Sequence, residues 1–245
     1  MPHTTARFTP LSKLPNFDPR HAPVASIDTH LPGVPLHALQ AEALRRRFQS
    51  PLVWQPEVRE EPPYAQRQPM HASVLVPIVL RPEPTILLTQ RTAHLSTHSG
   101  QIAFPGGKAD EEDTDAAATA LREAFEEVGL ASGYVEILGQ LPLYTTGTSF
   151  LITPVVALVR PGFTLTPNND EVSDAFEVPL HFLMNPANHR RHVVEAEGVR
   201  REWFSMPYLE ASAARTTSAP EAAQERFIWG ATAGMLRNLY RFLSA

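Results

Sequence analysis

Arg122 is followed by three glutamates, Glu123, Glu126 and Glu127, with no lysine among them. On a helix, residues three or four apart have Cβ atoms only about 5–6 Å apart, so these carboxylates would project into one small volume. Like charges at that spacing repel, and a helix uses such a cluster in one of two ways. It is either a plain solvated face or a set of ligands for a cation. Hard divalent ions such as Mg²⁺ take oxygen ligands, commonly a few carboxylates together with substrate phosphate oxygens. Upstream lies Gly106-Gly107, a turn whose bare backbone carbonyls can come close to a ligand. A glutamate cluster beside a bare backbone points to the second use.

The elements that must hold these residues can be read from the surrounding pattern. A helix is predicted over Ala116 to Val128, with Asp115 as N-cap and Gly129 as its C-terminal stop. At about 100° per residue, Leu121, Ala124, Phe125 and Val128 form the face expected to pack on a sheet. The glutamates then fall on the opposite side, with Arg122 at its flank. Strands are predicted at Ser73–Leu80, a short apolar run rich in β-branched residues, and at Thr85–Thr89, Tyr134–Tyr144 and Phe150–Val159. A short element around Glu171 to Leu180 follows, then a strand pair at His189–Val194 and Val199–Met206, and a closing helix from Phe227 to Leu243. This order implies an α/β class, a mixed sheet sandwiched by helices.

Of the 24 prolines, 12 fall within residues 1–70. Proline lacks a backbone donor and restricts its predecessor, so this stretch is expected to be mostly extended or irregular. It reads as an extension packed on a main domain of residues 71–245. One helix is predicted inside it, Leu36 to Phe48, ending in Arg45-Arg46-Arg47, which reads as a solvated face near a helix C-terminus. The net charge of −5 argues against a non-specific nucleic-acid binder. There is no cysteine, which excludes disulfides and thiolate chemistry. No apolar run approaches the roughly 20 residues that span a bilayer. The expectation is a cytoplasmic protein that engages neither membrane nor nucleic acid.

The segment Gly106 to Leu130 resembles the signature of the Nudix hydrolase family. Its ending, Arg-Glu-apolar-any-Glu-Glu-any-Gly-apolar, is matched throughout by Arg122 to Leu130. The glycine-to-arginine spacing is one residue longer than usual, and Asp113 stands for the customary mid-box glutamate. That longer spacing, with Leu87-Leu88-Thr89-Gln90-Arg91 running into Phe104-Pro105-Gly106-Gly107, is similar to the coenzyme A diphosphatase subfamily. Thr92 replaces the usual Ser or Ala, and Ser96 replaces a second arginine, with His94 and His98 on either side.

The resemblance implies a Nudix α/β/α sandwich that uses Mg²⁺ or Mn²⁺. It implies Glu123, Glu126 and Glu127 as metal ligands, assisted by the Gly107 carbonyl, and Arg122 as the residue that orients them. Either Glu126 or Glu171 would act as general base, and Arg91, Phe104 and Gly106 would meet the substrate. The implied partner is a small nucleoside diphosphate derivative, coenzyme A or its thioesters, with a homodimer as the oligomer to test. ADP-ribose, NADH or a dinucleotide is the alternative that Ser96 keeps open. A non-catalytic binding module is disfavoured, because such proteins usually lose the box glutamates.

Overall fold

A computed structural model describes residues 9, 11, 17–50, 53–61, 68–93, 100–196, 198–210 and 224–245. The described strands are β1 (Val24–Ile27), β2 (Met70–Val79), β3 (Thr85–Arg91), β4 (Ile102–Ala103), β5 (Gly106–Lys108) and β6 (Val135–Gln140). They continue with β7 (Tyr144–Thr145), β8 (Phe150–Val159), β9 (Val172–Pro179), β10 (Arg190–Ala196), β11 (Val199–Glu210) and β12 (Gln224–Trp229). The helices are α1 (Ala41–Gln49), α2 (Ala116–Val128), α3 (Leu180–Leu183) and α4 (Gly230–Ser244). None of the described helices is long and apolar enough to cross a membrane.

The architecture is mixed α/β. One sheet runs β4-β3-β2-β8-β6, with β5 paired to β2, β7 to β8 and β9 to β3. Its spine is the parallel pair β2 and β8, in register from Met70↔Phe150 to Val79↔Val159. Both strands are apolar along most of their length because both faces are covered. On one face Leu75, Val79, Val155, Ala157 and Val159 pack with Ala120, Ala124 and Val128 of α2. On the other, Val74, Val76, Ile78, Val156 and Leu158 share a core with Met235, Leu236 and Leu239 of α4. Each such Val, Leu, Ile or Met side chain contributes roughly 1.5–3 kcal/mol on burial.

β2 pairs with β3 only at Ile78↔Ile86 and Val79↔Thr85. Beyond that the two strands part: β2 takes β5 as its neighbour, and β3 takes β4. The segment from Ile102 to Lys108 thus bridges a fork in the sheet, and the glutamates of α2 lie beside it. The helix has the predicted bounds. Asp115 Oδ1 accepts from the Ala118 N–H at 2.8 Å, and Gly129 closes the end in the left-handed region at φ 71°.

Several elements differ from the sequence expectation. A second sheet, β1-β10-β11-β12, is antiparallel throughout. Phe227, Ile228 and Trp229 belong to its last strand and not to the closing helix, because they pair with Pro207, Met206 and Ser205 in turn. The stretch expected as one strand from Tyr134 to Tyr144 is split: β6 stops at Gln140 and the short β7 begins at Tyr144. The helix expected from Leu36 to Phe48 is interrupted at Gln40, whose ψ of 152° is extended. Nor are all three arginines solvated. Arg45 holds both Glu136 oxygens, at 2.8 and 2.7 Å, while Arg47 donates to the Phe242 carbonyl and lies over its ring.

Residues ahead of β2 enter the same core, with Leu39 and Leu44 buried. Arg237 of α4 fastens them, donating to Asp28 at 2.6 Å and to Glu57 at 2.7 Å. Its third contact is His189 Nδ1 at 3.2 Å. A guanidinium can only donate, so Nδ1 accepts, and Nε2 carries the hydrogen that meets the Leu183 carbonyl at 2.7 Å. Burial, reinforced by the Arg237 charge, pushes His189 down to about 4 from an ordinary 6.5.

The depressed value means that the unfolded chain takes up a proton first as pH falls, so stability present above 6.5 is lost toward 4. His189 alone should therefore lower stability by about 2 kcal/mol between pH 7 and 5. Urea unfolding of the wild type and His189→Gln at both pH values checks this, the variant being expected to show a smaller acid loss. Equal slopes would show that His189 does not titrate in this way.

Candidate active site

Glu127 sits on the inner side of α2 and is only 5% exposed, whereas Phe125 is 61% exposed. This corrects the expected helix face. The buried arc centres on Ala124, and on the wheel Glu127 lies about 60° from that centre while Phe125 lies about 100° away. The intervening side chains are small alanines, so the sheet approaches the helix closely and takes in the glutamate. Glu127 Oε2 accepts from the Gly106 N–H at 3.3 Å, and Arg91 Nη1 lies 3.8 Å from Oε1. Among the described residues the buried Nε of Arg91 has no hydrogen-bond partner.

Glu123, one turn earlier, lies against Gly107. A Cβ added there would stand 2.4 Å from the Glu123 carboxyl carbon and 2.5 Å from both of its oxygens. Gly106 is equally constrained from its other side, where a Cβ would meet the Ser73 carbonyl oxygen at 2.4 Å and the Val74 Cα at 2.6 Å. The glycine pair is therefore a short strand pressed between β2 and the two carboxylates, and not the open turn that the sequence suggested.

Arg122 uses all five of its N–H donors. Nε and Nη2 hold the two oxygens of Asp113 at 3.0 and 2.9 Å. Nη1 reaches Glu123 at 2.9 Å and Glu126 at 3.2 Å, and Nη2 also reaches the Lys108 carbonyl at 3.0 Å. The bidentate contact with Arg122 holds the Asp113 carboxyl well below the usual carboxylate range. Asp113, which stands where the family places a glutamate, is thus the main partner of Arg122. This ties the loop before the helix to the helix itself.

Burial raises both inner carboxylates. Glu127 is pushed up to about 7, against the pull of the Gly106 N–H and Arg91. Glu123 is raised in the same way, against the pull of Arg122. The negative charge of Glu171 raises both further, which places this residue within electrostatic reach of the pair. Its backbone is fastened nearby: the Thr92 N–H donates to the Glu171 carbonyl at 2.9 Å, and the Asn168 N–H to the Glu127 carbonyl at 2.9 Å. Thr92, a departure from the subfamily pattern, also donates its hydroxyl to the Asp170 carbonyl at 3.2 Å. It therefore joins the Arg91 strand to the Glu171 loop.

The structure does not bring every expected residue to the centre. The Glu126 side chain is 56% exposed and turned to Arg122. The three glutamates therefore do not converge, and among the described residues no three His, Asp or Glu side chains are grouped to hold a metal by themselves. Mutual repulsion and the Arg122 fork account for the separation. Phe104 is 3% exposed and part of the core, so its ring has almost no surface left for a substrate. The Gly106 N–H is spent on Glu127. His94, Ser96 and His98 lie outside the described residues.

What remains is a buried carboxylate, Glu127, and a part-buried one, Glu123, backed by bare glycine backbone and flanked by Arg91 and Arg122. That donor set suits a hard cation, since Mg²⁺ usually takes only one or two carboxylates and fills its shell with water and phosphate oxygens.

The chain belongs to the Nudix family: the NUDIX domain model matches residues 69–219. It is 41% identical over 169 residues to "Uncharacterized Nudix hydrolase NudL" of Yersinia enterocolitica, covering 69% of this chain and 79% of that one. A protein of the same description from Yersinia pestis is 36% identical over 198 residues, 81% of this chain and 92% of that one. Among solved structures it is similar to a C. elegans Ap4A hydrolase binary complex, at 20% identity and a TM-score of 0.39. That match covers 48% of this chain and 85% of the other.

Proposed function

We propose that this Nudix protein hydrolyses the diphosphate linkage of coenzyme A or its thioesters, giving adenosine 3′,5′-bisphosphate and (acyl-)phosphopantetheine. The observation that carries the reading is the pairing of Glu123 and Glu127 against Gly107 and Gly106, with the unpartnered Arg91 Nε beside them. Glu123 and Glu127 would hold Mg²⁺ or Mn²⁺, with the Gly107 backbone adjoining. A divalent ion there activates water and neutralises charge on the diphosphate. Arg91 supplies a guanidinium for a phosphate oxygen, the geometry in which arginine is strongest. Arg122 keeps Glu123 in place. Of the two candidate general bases, Glu126 and Glu171, Glu171 is the one to test first, because the Glu126 carboxylate is committed to Arg122.

The choice of coenzyme A is supported by the run from Leu87 to Gly107 and the lengthened glycine-to-arginine spacing. Ser96, in place of a second arginine, favours a second reading, a Nudix hydrolase of ADP-ribose or NADH. One panel separates them: phosphate-containing products measured from coenzyme A, dephospho-coenzyme A, ADP-ribose and NADH with Mg²⁺ or Mn²⁺. Preference for coenzyme A is the expected result. Preference for ADP-ribose would overturn the substrate assignment and keep the class.

A further inference from the structure

Arg226 of β12 is buried and joins the two sheets. Its Nε donates to Glu210 on the neighbouring strand β11 at 2.8 Å. The rest of the guanidinium leaves its own sheet. Nη2 donates to the Asp174 carboxylate of β9 at 2.6 Å, and Nη1 to the side-chain oxygen of Gln90 on β3 at 3.0 Å. The Phe176 ring lies against it, with its centroid 4.0 Å from Cζ. Residue 226 falls beyond the family match, which ends at residue 219. A buried guanidinium is costly to desolvate, and packed apolar side chains often hold such a junction equally well. The three-way grip therefore points to a role in direction and not in strength.

Its two partners on the larger sheet face each other, and the register breaks immediately after them. Gln90 pairs with Asp174, but Arg91 pairs with Val172, which leaves Ser173 as an extra residue on β9. Two residues opposing one is a β-bulge, a device that re-aims a neighbouring side chain. The packing records the shift. Val172 and Ala175 both join the core beneath α2, although residues three apart on an unbroken strand face opposite ways. The Ser173 hydroxyl steadies the bulge from within, donating to the Gln90 carbonyl at 3.0 Å, with the Arg91 carbonyl at 3.4 Å.

Arg91 leaves this bulge toward α2, where its Nη1 stands 3.8 Å from Glu127. Neighbouring side chains on a strand point to opposite faces. Gln90 accordingly lies on the face of Phe176 and Arg226, and Arg91 on the face of Glu127. A grip on Gln90 from behind thus fixes the backbone from which Arg91 departs in front. The contact of Arg91 with Glu127 is longer than a hydrogen bond. Its Nε is buried with no hydrogen-bond partner among the described residues. The aim of this side chain therefore depends on the strand that carries it.

We propose that Arg226 is a positioning residue for Arg91: by pinning Gln90 and Asp174 at the start of the bulge, it sets the direction in which the Arg91 guanidinium meets the carboxylate pair. The proposal rests on the diphosphate-hydrolase reading for the use made of Arg91, a phosphate contact. It adds that this contact is aimed from the far side of the sheet, by a residue beyond the family match.

The test uses Arg226→Met and Gln90→Met in the full chain, each with and without Arg91→Ala. Asp174 and Glu210 are only half-buried, so water can solvate both carboxylates once the guanidinium is gone. Gln90→Met leaves both ion pairs of Arg226 in place and cuts its tie to β3, which keeps the test decisive if Arg226→Met fails to fold. The first readout needs no ligand: solvent exchange of the Arg91 Nε–H, followed by NMR on protein with isotope-labelled arginine and assigned by its loss in Arg91→Ala. Both methionine variants are expected to speed that exchange at least about tenfold. The second readout is kcat/KM for coenzyme A and for ADP-ribose with Mg²⁺. Each methionine variant should lose about tenfold when Arg91 is present and less than about twofold when it is alanine, the non-additivity of residues that act as a unit. Unchanged Arg91 exchange in Gln90→Met overturns the proposal, as does an equal loss of turnover with and without Arg91. A wild type that turns over neither compound, while Arg91 exchange still depends on Gln90 and Arg226, overturns the hydrolase reading and leaves the positioning of Arg91 standing.

Discussion

Glu127→Gln is expected to abolish metal-dependent turnover and, at the same time, to make the metal-free protein more stable. The first effect follows from losing one of the two inner carboxylates proposed to hold the ion; a fall of at least about a hundredfold, near 3 kcal/mol, is expected. The second follows from burial. Folding takes this carboxyl from an ordinary 4.5 to about 7, so between those values the folded protein keeps a proton that the unfolded chain has released. Stability therefore falls as pH rises through that window, and the cost is fully present above 7. A glutamine carries no charge to desolvate and can still accept from Gly106. Denaturant unfolding in chelator at pH 8 should show the variant more stable by about 1–3 kcal/mol, with the gap closing toward pH 4. Near-normal turnover by a well-folded variant would remove Glu127 from the site. A variant no more stable than the wild type at pH 8 would show that the carboxylate is not under strain there.

The two glycines should fail in different ways when each is replaced by alanine. At Gly106 the new methyl would collide with the Ser73 carbonyl oxygen and Val74 Cα, backbone atoms of a central strand that cannot swing aside. Overpacking of this kind costs about 1–3 kcal/mol, so Gly106→Ala is expected to lose stability and activity together. At Gly107 the methyl meets only the end of the Glu123 side chain, which can move. Gly107→Ala should therefore melt close to the wild type yet lose turnover by about a hundredfold, since displacing a catalytic group by an ångström has effects of that size. Thermal melts and initial rates on the same preparations distinguish the two. If both variants melted alike and kept activity, the close approach of this strand to Glu123 would not matter to the chemistry.

Much of this site was legible in the sequence because its parts are local. Asp115, the alternation of small apolar residues and Gly129 specify α2, and its ends fall where the caps place them. The strands β2 and β8 were legible for a related reason: burial on both faces leaves nearly unbroken apolar runs. The inward position of Glu127 was hidden because apolar character, on which the helix face was drawn, favours Phe125. The alanines that let the sheet come close carry little weight on such a scale. Asp113 is legible as standing for the mid-box glutamate, but its bidentate pairing with Arg122, the firmest contact in the site, was not legible from a shorter side chain at a shifted spacing. The role of the first seventy residues could not be read at all. Asp28, Glu57 and Glu61 find their partners at Arg237, Tyr144 and Gly147, and nothing local in a sequence marks contacts so distant.

The most direct test of the account is the binding of Mn²⁺ by the protein without substrate, followed by calorimetry at pH 6 and pH 8 in wild type, Glu123→Gln and Glu127→Gln. With Glu127 held near 7, the wild type should bind Mn²⁺ more weakly at pH 6, by up to about tenfold, and release close to one proton per ion bound there and little at pH 8. Both variants should bind at least about tenfold more weakly than the wild type at pH 8, and Glu127→Gln should release fewer protons at pH 6 than the wild type does. Equal Mn²⁺ affinity in all three proteins, with no proton release, would contradict the assignment of these two carboxylates as the metal site.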